Sequence, residues 1–338
     1  MKRKIGKRLL SMLLSAGMLA GTVLPAAAKP ERDSKDAAAQ IVVDYNTSIG
    51  TGSPMIFGGL GTPDSESKAW KSLTREAGLK VMGVDVDLSE LFPDSTDADS
   101  AVLESYTHVA GGILTRIKGA GIKAFITFDH MPSWYADTPD KAGAYAVMVE
   151  TFLAAAKADY QDSIGYVELK PEMSLSAEEF TNSYYQTAAK VRRLLPEVQI
   201  GGMGYELKDK NDSLSTAPNV KAALNAYEGK DESLLQFVSF KAYAADPTTD
   251  WKNDVFGEFK PGRKAVRAAL NNADMPLFLT GWSSVAKGEK NPDGTITGAD
   301  GIKYHSLALF KAMRDGWGLV LFDVSLDERT NPGSYMYT

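Results

Sequence analysis

The chain has 338 residues, 44% hydrophobic and 24% charged, with a formal net charge of -6. That is the composition of a soluble globular protein with room for one large domain, and an acidic balance with no basic block beyond the N-terminus excludes nucleic acid as a partner. The absence of cysteine excludes disulfides, thiol chemistry and a lipid-anchored cysteine.

Residues 1–28 read as a signal peptide: a basic start, MKRKIGKR, an apolar run, LLSMLLSAGMLAGTVL, and small residues with Ala26 and Ala28 at the cleavage motif. The alternative is a membrane anchor, but the apolar run is short for a span of about 20 residues. The expectation is therefore a secreted or cell-envelope protein, cleaved near Ala28, with no membrane association afterwards. Residues 29–40 are a polar, flexible leader, and 41–338 form one domain.

Within that domain strand and helix signals alternate. IVVDY (41–45) is an accessory strand. The main strands are 54–60, 79–86, 122–128, 164–170, 198–203, 235–243, 276–281 and 318–324. Helical patterns lie near 64–77, 98–119, 139–160, 176–194, 217–228, 258–272 and 299–314. Such alternation predicts an α/β fold with a parallel sheet covered by helices. Gly78 and Gly121 fall where helices hand over to strands, as C-terminal caps do. Eight strands favour a closed (β/α)8 TIM barrel whose last helix is short or missing. An open doubly wound sheet is the alternative, with Gly58-Gly59-Leu60-Gly61 a weak match to its phosphate loop.

A barrel gathers the residues at its strand ends around one mouth. Asp85 and Asp87 follow strand two, Asp129 and His130 strand three, and Glu172 strand four. Tyr205 and Glu206 follow strand five, Lys241 and Tyr243 strand six, Trp282 strand seven and Asp323 strand eight. Trp134 lies beyond His130. Carboxylates with aromatic faces suit a sugar, since carboxylates do acid, base or nucleophilic work and rings pack on apolar pyranose faces. Each residue also has a structural reading. Asp85 and Asp87 would cap loop amides, Glu168 would be an interior polar group, and Trp134 would only pack the rim. His108 and His305 read as surface residues. Three scattered histidines have no metal-ligand spacing, and 291–301 lacks the order of a calcium loop. No metal or cofactor is expected.

Six stretches carry a resemblance: GLKVMGVDVDLSELFP, GAGIKAFITFDHMPSWYAD, YVELKPEMS, YYQTAAKVRRLLPEVQIGG, FVSFKAYAADP and PLFLTGWSS. In order and spacing, over roughly 41–324, the chain resembles the barrel of glycoside hydrolase family 39, in the clan of retaining (β/α)8 glycosidases. The resemblance implies that Glu172 matches the general acid/base, with Pro171 replacing the family's asparagine. It implies that Gly281 stands at the nucleophile's position, Gly83 at that of a supporting arginine, and Lys241 at that of a histidine.

A retaining glycosidase needs two carboxyl groups about 5–5.5 Å apart, and glycine cannot form the glycosyl ester. Losing both the glutamate and its arginine removes a pair without stranding a charge. The leading expectation is a secreted glycosidase-like barrel that binds carbohydrate or polysaccharide and hydrolyses it poorly. The alternative is an active O-glycosyl hydrolase with Glu172 as general acid and Asp85, Asp129 or Asp323 activating water.

Overall fold

A computed structural model describes residues 57–60, 74, 78–206, 217–227, 230–243, 274–283 and 318–323, all within the compact unit Ser48–Thr338. The signal, leader and accessory strand lie outside these residues, as do the helices expected near 258–272 and 299–314, the 291–301 loop and His305. The helix expected near 64–77 is described only at Thr74.

Eight strands are described: β1 (Phe57–Leu60), β2 (Val81–Asp87), β3 (Lys123–Asp129), β4 (Ile164–Leu169), β5 (Gln199–Glu206), β6 (Phe237–Tyr243), β7 (Leu277–Ser283) and β8 (Leu319–Asp323). Each pairs in parallel with the next, and β1 also pairs with β8, which closes the ring. Five helices are described: α1 (Leu88–Leu91), α2 (Ser100–Ala120), α3 (Lys141–Tyr160), α4 (Ala177–Leu194) and α5 (Pro218–Asn225). Helices α2 to α5 follow β2 to β5 in turn, the mixed α/β order that the sequence predicts.

Local chemistry sets the helix ends. Asp99 starts α2 by accepting from the Ala101 amide at 2.7 Å, and Gly121 ends it in the left-handed conformation at φ 69°, where a side chain would be strained. Ser176 and Glu179 form a reciprocal capping box at the start of α4.

Three features depart from the sequence expectation. Strand β5 runs on to Glu206 instead of ending at Met203. Its ladder with β6 is interrupted between Gly202 and Tyr205 and then resumes. Gly204, at φ 62°, marks an irregularity inside the strand rather than its end. Asp85 and Asp87 in β2, Asp129 in β3, Tyr205 and Glu206 in β5, Lys241 and Tyr243 in β6, Trp282 in β7 and Asp323 in β8 lie within strands and not after them. The one-turn helix α1 was not predicted; it exists because Asp87 Oδ1 accepts from the amides of Ser89 and Glu90 at 2.8 and 3.2 Å.

The sheet is buried on both faces. Outward-facing residues such as Val84, Ile126, Val167, Phe240 and Leu279 join the helices in one large apolar cluster. Inside the ring, Val81, Phe125, Tyr166, Phe237, Phe278 and Leu321 form a separate cluster. Phe237 and Phe278 stack there at 4.4 Å. This aromatic layer fills the lower interior, as small barrels require.

Candidate active site

Side chains on a strand alternate between faces, so two residues beyond the aromatic layer the interior continues with Gly83, Thr127, Glu168, Ser239 and Thr280. All are buried. Glu168, fully buried, organises this layer. Its two oxygens accept from Thr127 Oγ1 on β3 at 2.9 Å and from Thr280 Oγ1 on β7 at 2.7 Å. One carboxylate thus ties β4 to a neighbour and to a strand across the ring. Ser239 Oγ accepts from the Gly204 amide at 2.9 Å.

One step higher, the mouth is charged. Lys170 Nζ donates to Asp129 Oδ2 at 2.7 Å, while Asp129 Oδ1 accepts from the His130 amide at 3.0 Å. Burial alone would raise the Asp129 carboxyl. The Lys170 charge and hydrogen bond, the His130 amide and the Lys241 charge outweigh burial and hold it below its ordinary value. Lys241 is 7% exposed. Burial disfavours its ammonium, but the charges of Glu168, Asp85, Asp129 and Glu206 raise its pKa above the usual lysine value. It is therefore a fixed cation at neutral pH and not an amine nucleophile. Among the described residues it makes no ion pair within 4 Å and no hydrogen bond.

The Asp129 shift fixes a pH dependence. A carboxyl lowered by folding stabilises the protein above its unfolded pKa, and that stabilisation disappears as pH falls through the folded value. At neutral pH, Asp129→Asn is expected to cost about 1 kcal/mol. The difference from the unmodified protein should shrink below about pH 4, as read from urea midpoints at a series of pH values. A difference that persisted at acid pH would contradict the ion-pair origin.

Glu172 sits half-buried just past β4. Its turn is held from three sides. The Lys170 amide donates to Tyr145 Oη at 3.0 Å, the Leu175 amide to the Glu172 carbonyl at 3.2 Å, and Asn219 Nδ2 to the Met173 carbonyl at 2.9 Å. Tyr145 is wholly buried, and burial pushes its phenol far up. Tyr135, in the 3₁₀ turn Ser133–Asp137, is pushed up to about 12, first by burial and secondarily by charges that include Glu172.

Asp85, Asp129 and Glu206 thus each act on Lys241 at the mouth, as does Glu168 beneath them. His130 is exposed at φ 55°. Trp134 is half-buried and donates its indole N–H to the Phe92 carbonyl at 2.7 Å, so its polar edge is already engaged by the rim. Asp87 caps α1, the structural reading considered for it. Tyr205 corrects the sequence reading. It is 6% exposed and belongs to the sheet–helix apolar cluster, so its ring does not open on the mouth. Gly83 is buried in β2, and Gly281 is buried in β7 with Lys241 as its ladder partner. Tyr243 and Trp282 lie in the upper parts of β6 and β7, and Asp323 ends β8. His108 is exposed on α2. Among the described residues no group of three potential ligands could hold a metal, and no helix is long and apolar enough to cross a membrane.

Glu168 is the interior polar group that the sequence suggests, whereas Lys170 is not singled out by it. Tyr166, Glu168 and Lys170 share the inward face by alternation, which was the available signal.

No family model matches the sequence, and no curated protein matches it. Solved structures do. A glucosidase from Croceicoccus marinus aligns at TM-score 0.60 and 18% identity, over 85% of this chain and 65% of that one. A bacterial orthologue of human α-L-iduronidase aligns at 0.57 and 13%, over 80% and 49%. The exo-β-1,4-mannosidase Op5Man5 from Opitutaceae bacterium strain TAV5 aligns at 0.54 and 14%, over 79% and 51%. The chain therefore spans about half to just under two thirds of the length of these neighbours. Its fold is of the glycosidase type.

Proposed function

We propose that this chain is a carbohydrate-binding barrel derived from a glycoside hydrolase, a divergent relative of family 39 with a (β/α)8 barrel whose last helix is short or missing and with little hydrolytic turnover. Export with a mature start near Lys29 belongs to the same reading. The observation that carries it is the upper end of β7. Gly281 supplies no carboxylate, its ladder neighbour is the cation Lys241, and the adjacent Thr280 hydroxyl is committed to Glu168. Among the described residues at this end of β7, none supplies a carboxylate nucleophile.

Binding has better support than turnover. The Lys241 ammonium offers donors, while Asp85, Glu172 and Glu206 offer acceptors, the complement of a polyol. Trp134, and Trp282 at its strand position, are the proposed aromatic platforms. For the active alternative, Asp85 suits the base better than Asp129, while the Asp323 side chain lies outside what is described. Asp129 is held by Lys170 and by an amide and is a poor proton acceptor, whereas Asp85 is exposed with no hydrogen bond to its carboxylate among the described residues.

Hydrolysis and binding measured on one glycan panel test the proposal. Binding without turnover is expected, and Trp282→Ala and Trp134→Ala should each weaken it by about 0.5–1.5 kcal/mol beyond lost contact area. Unchanged calorimetric affinity in both variants would remove these rings from the site.

A further inference from the structure

A second pocket opens at the opposite end of the barrel, where β3, β4 and β5 begin. Its volume is about 400 Å³, within the range of small-molecule sites. Tyr166 forms part of its wall. Its ring is fixed in the aromatic layer against Phe125 at 5.7 Å, and the residue is 7% exposed. Its hydroxyl makes no hydrogen bond to another described residue and is accessible from the pocket it lines, so a ligand there can bond to it. Gly165 helps keep the space: a Cβ there would lie 2.9 Å from Lys123 Cβ, so the lysine stem rests directly on the glycine. The Lys123 ammonium is turned aside, donating to the Asp162 carbonyl at 2.5 Å.

The rest of the lining mixes two chemistries. Gln161, Gln199 and Glu197 provide donors and acceptors, and Leu195 and Val198 provide an aliphatic wall. A pyranose has an apolar face and a hydroxylated edge, which match such walls, and a neutral ligand suits a pocket whose lysine is already engaged. We infer that this pocket is a second carbohydrate subsite, taking one or two neutral sugar units of a glycan, independent of the mouth. It would give a polysaccharide a second point of attachment, so that affinity for long chains exceeds that for short ones.

The test is titration of the full mature chain with cellobiose, xylobiose and mannobiose, followed by backbone amide NMR. At least one probe should bind with millimolar affinity and shift the amides of Gly165, Tyr166 and Gln199. Tyr166→Phe, which keeps the ring and removes only the hydroxyl, should weaken that binding about fivefold, the worth of one hydrogen bond. Gln199→Ala should weaken it as well. Trp134→Ala, at the rim of the mouth, should leave these shifts in place, so failure of the proposed function, on which this subsite's place in glycan binding rests, and failure of the subsite read out separately. Absence of shifts at Gly165, Tyr166 and Gln199 with all three probes overturns the inference. So does undiminished affinity in both pocket variants.

Discussion

Replacing Glu168 by alanine is expected to destabilise the barrel by about 2–6 kcal/mol, about 1–3 kcal/mol for each of the two buried threonine hydroxyls that lose their acceptor. Glu168 is the first-ranked favourable charge acting on Lys241, whose ammonium is nearly buried. The same substitution leaves the Thr127 and Thr280 hydroxyls without their shortest acceptor. Against a typical total of about 5–15 kcal/mol, such a variant risks not folding, so two others keep the expectation open to measurement. Glu168→Gln preserves shape and one acceptor and should cost about 1–3 kcal/mol. Glu168→Leu combined with Lys241→Met should recover only the part of the loss that comes from the Lys241 charge, since the Thr127 and Thr280 hydroxyls stay without this acceptor. Because folding raises the Lys241 pKa, its contribution is fully present below the unfolded lysine value and disappears only as pH rises through the folded one. The urea midpoints should therefore differ by the same amount at pH 6 and pH 9. A Glu168→Ala variant within about 0.5 kcal/mol of the unmodified protein, the range of a neutral surface change, would show that the interior carboxylate holds nothing together.

Much of the fold was legible because parallel strands buried on both faces read as apolar runs. VMGV, FITF and LFLTG stand out against the helical patterns between them. What misled was glycine. The GGMG stretch of β5 breaks the apolar signal, so the sequence pattern ends the strand before Tyr205 and puts that residue on the mouth, whereas the resumed ladder turns it into the outer core. The mouth itself was half legible. Alternation could place Asp129 and Lys241 at strand ends, but the Lys170–Asp129 bridge and the reach of Glu168 to β7 depend on how the ring closes. No local pattern carries that. Glu168 and Thr280 are 112 residues apart in sequence.

The final expectation concerns the vacancy at Gly281. The unmodified protein should turn over activated aryl glycosides no faster than background, and added azide or formate should give partial rescue by entering the space where a carboxylate would attack. Gly281→Glu alone should restore almost nothing. The new carboxylate would arise beside Lys241, its ladder neighbour, and an ammonium there would pair with it and blunt its nucleophilicity. Gly83 would also leave it without a supporting arginine. Gly281→Glu joined to Gly83→Arg, Pro171→Asn and Lys241→His should do far better, by about a hundredfold or more, because groups that act as a unit have non-additive effects. Lys241→His also takes the fixed cation away from Glu168, so the combined variant must first be shown to be folded by its urea midpoint. Glu172→Gln in that background should abolish the gain, since it removes the proton donor from a turn that Tyr145 and Asn219 already hold in place. The contrary result is equally concrete. If the unmodified protein hydrolyses a glycan without any added anion, and both Glu172→Gln and Asp85→Asn stop it, the barrel is an active enzyme that uses water across its mouth. The missing glutamate of β7 would then mark a change of mechanism, from a retaining site to one with more widely spaced carboxyl groups.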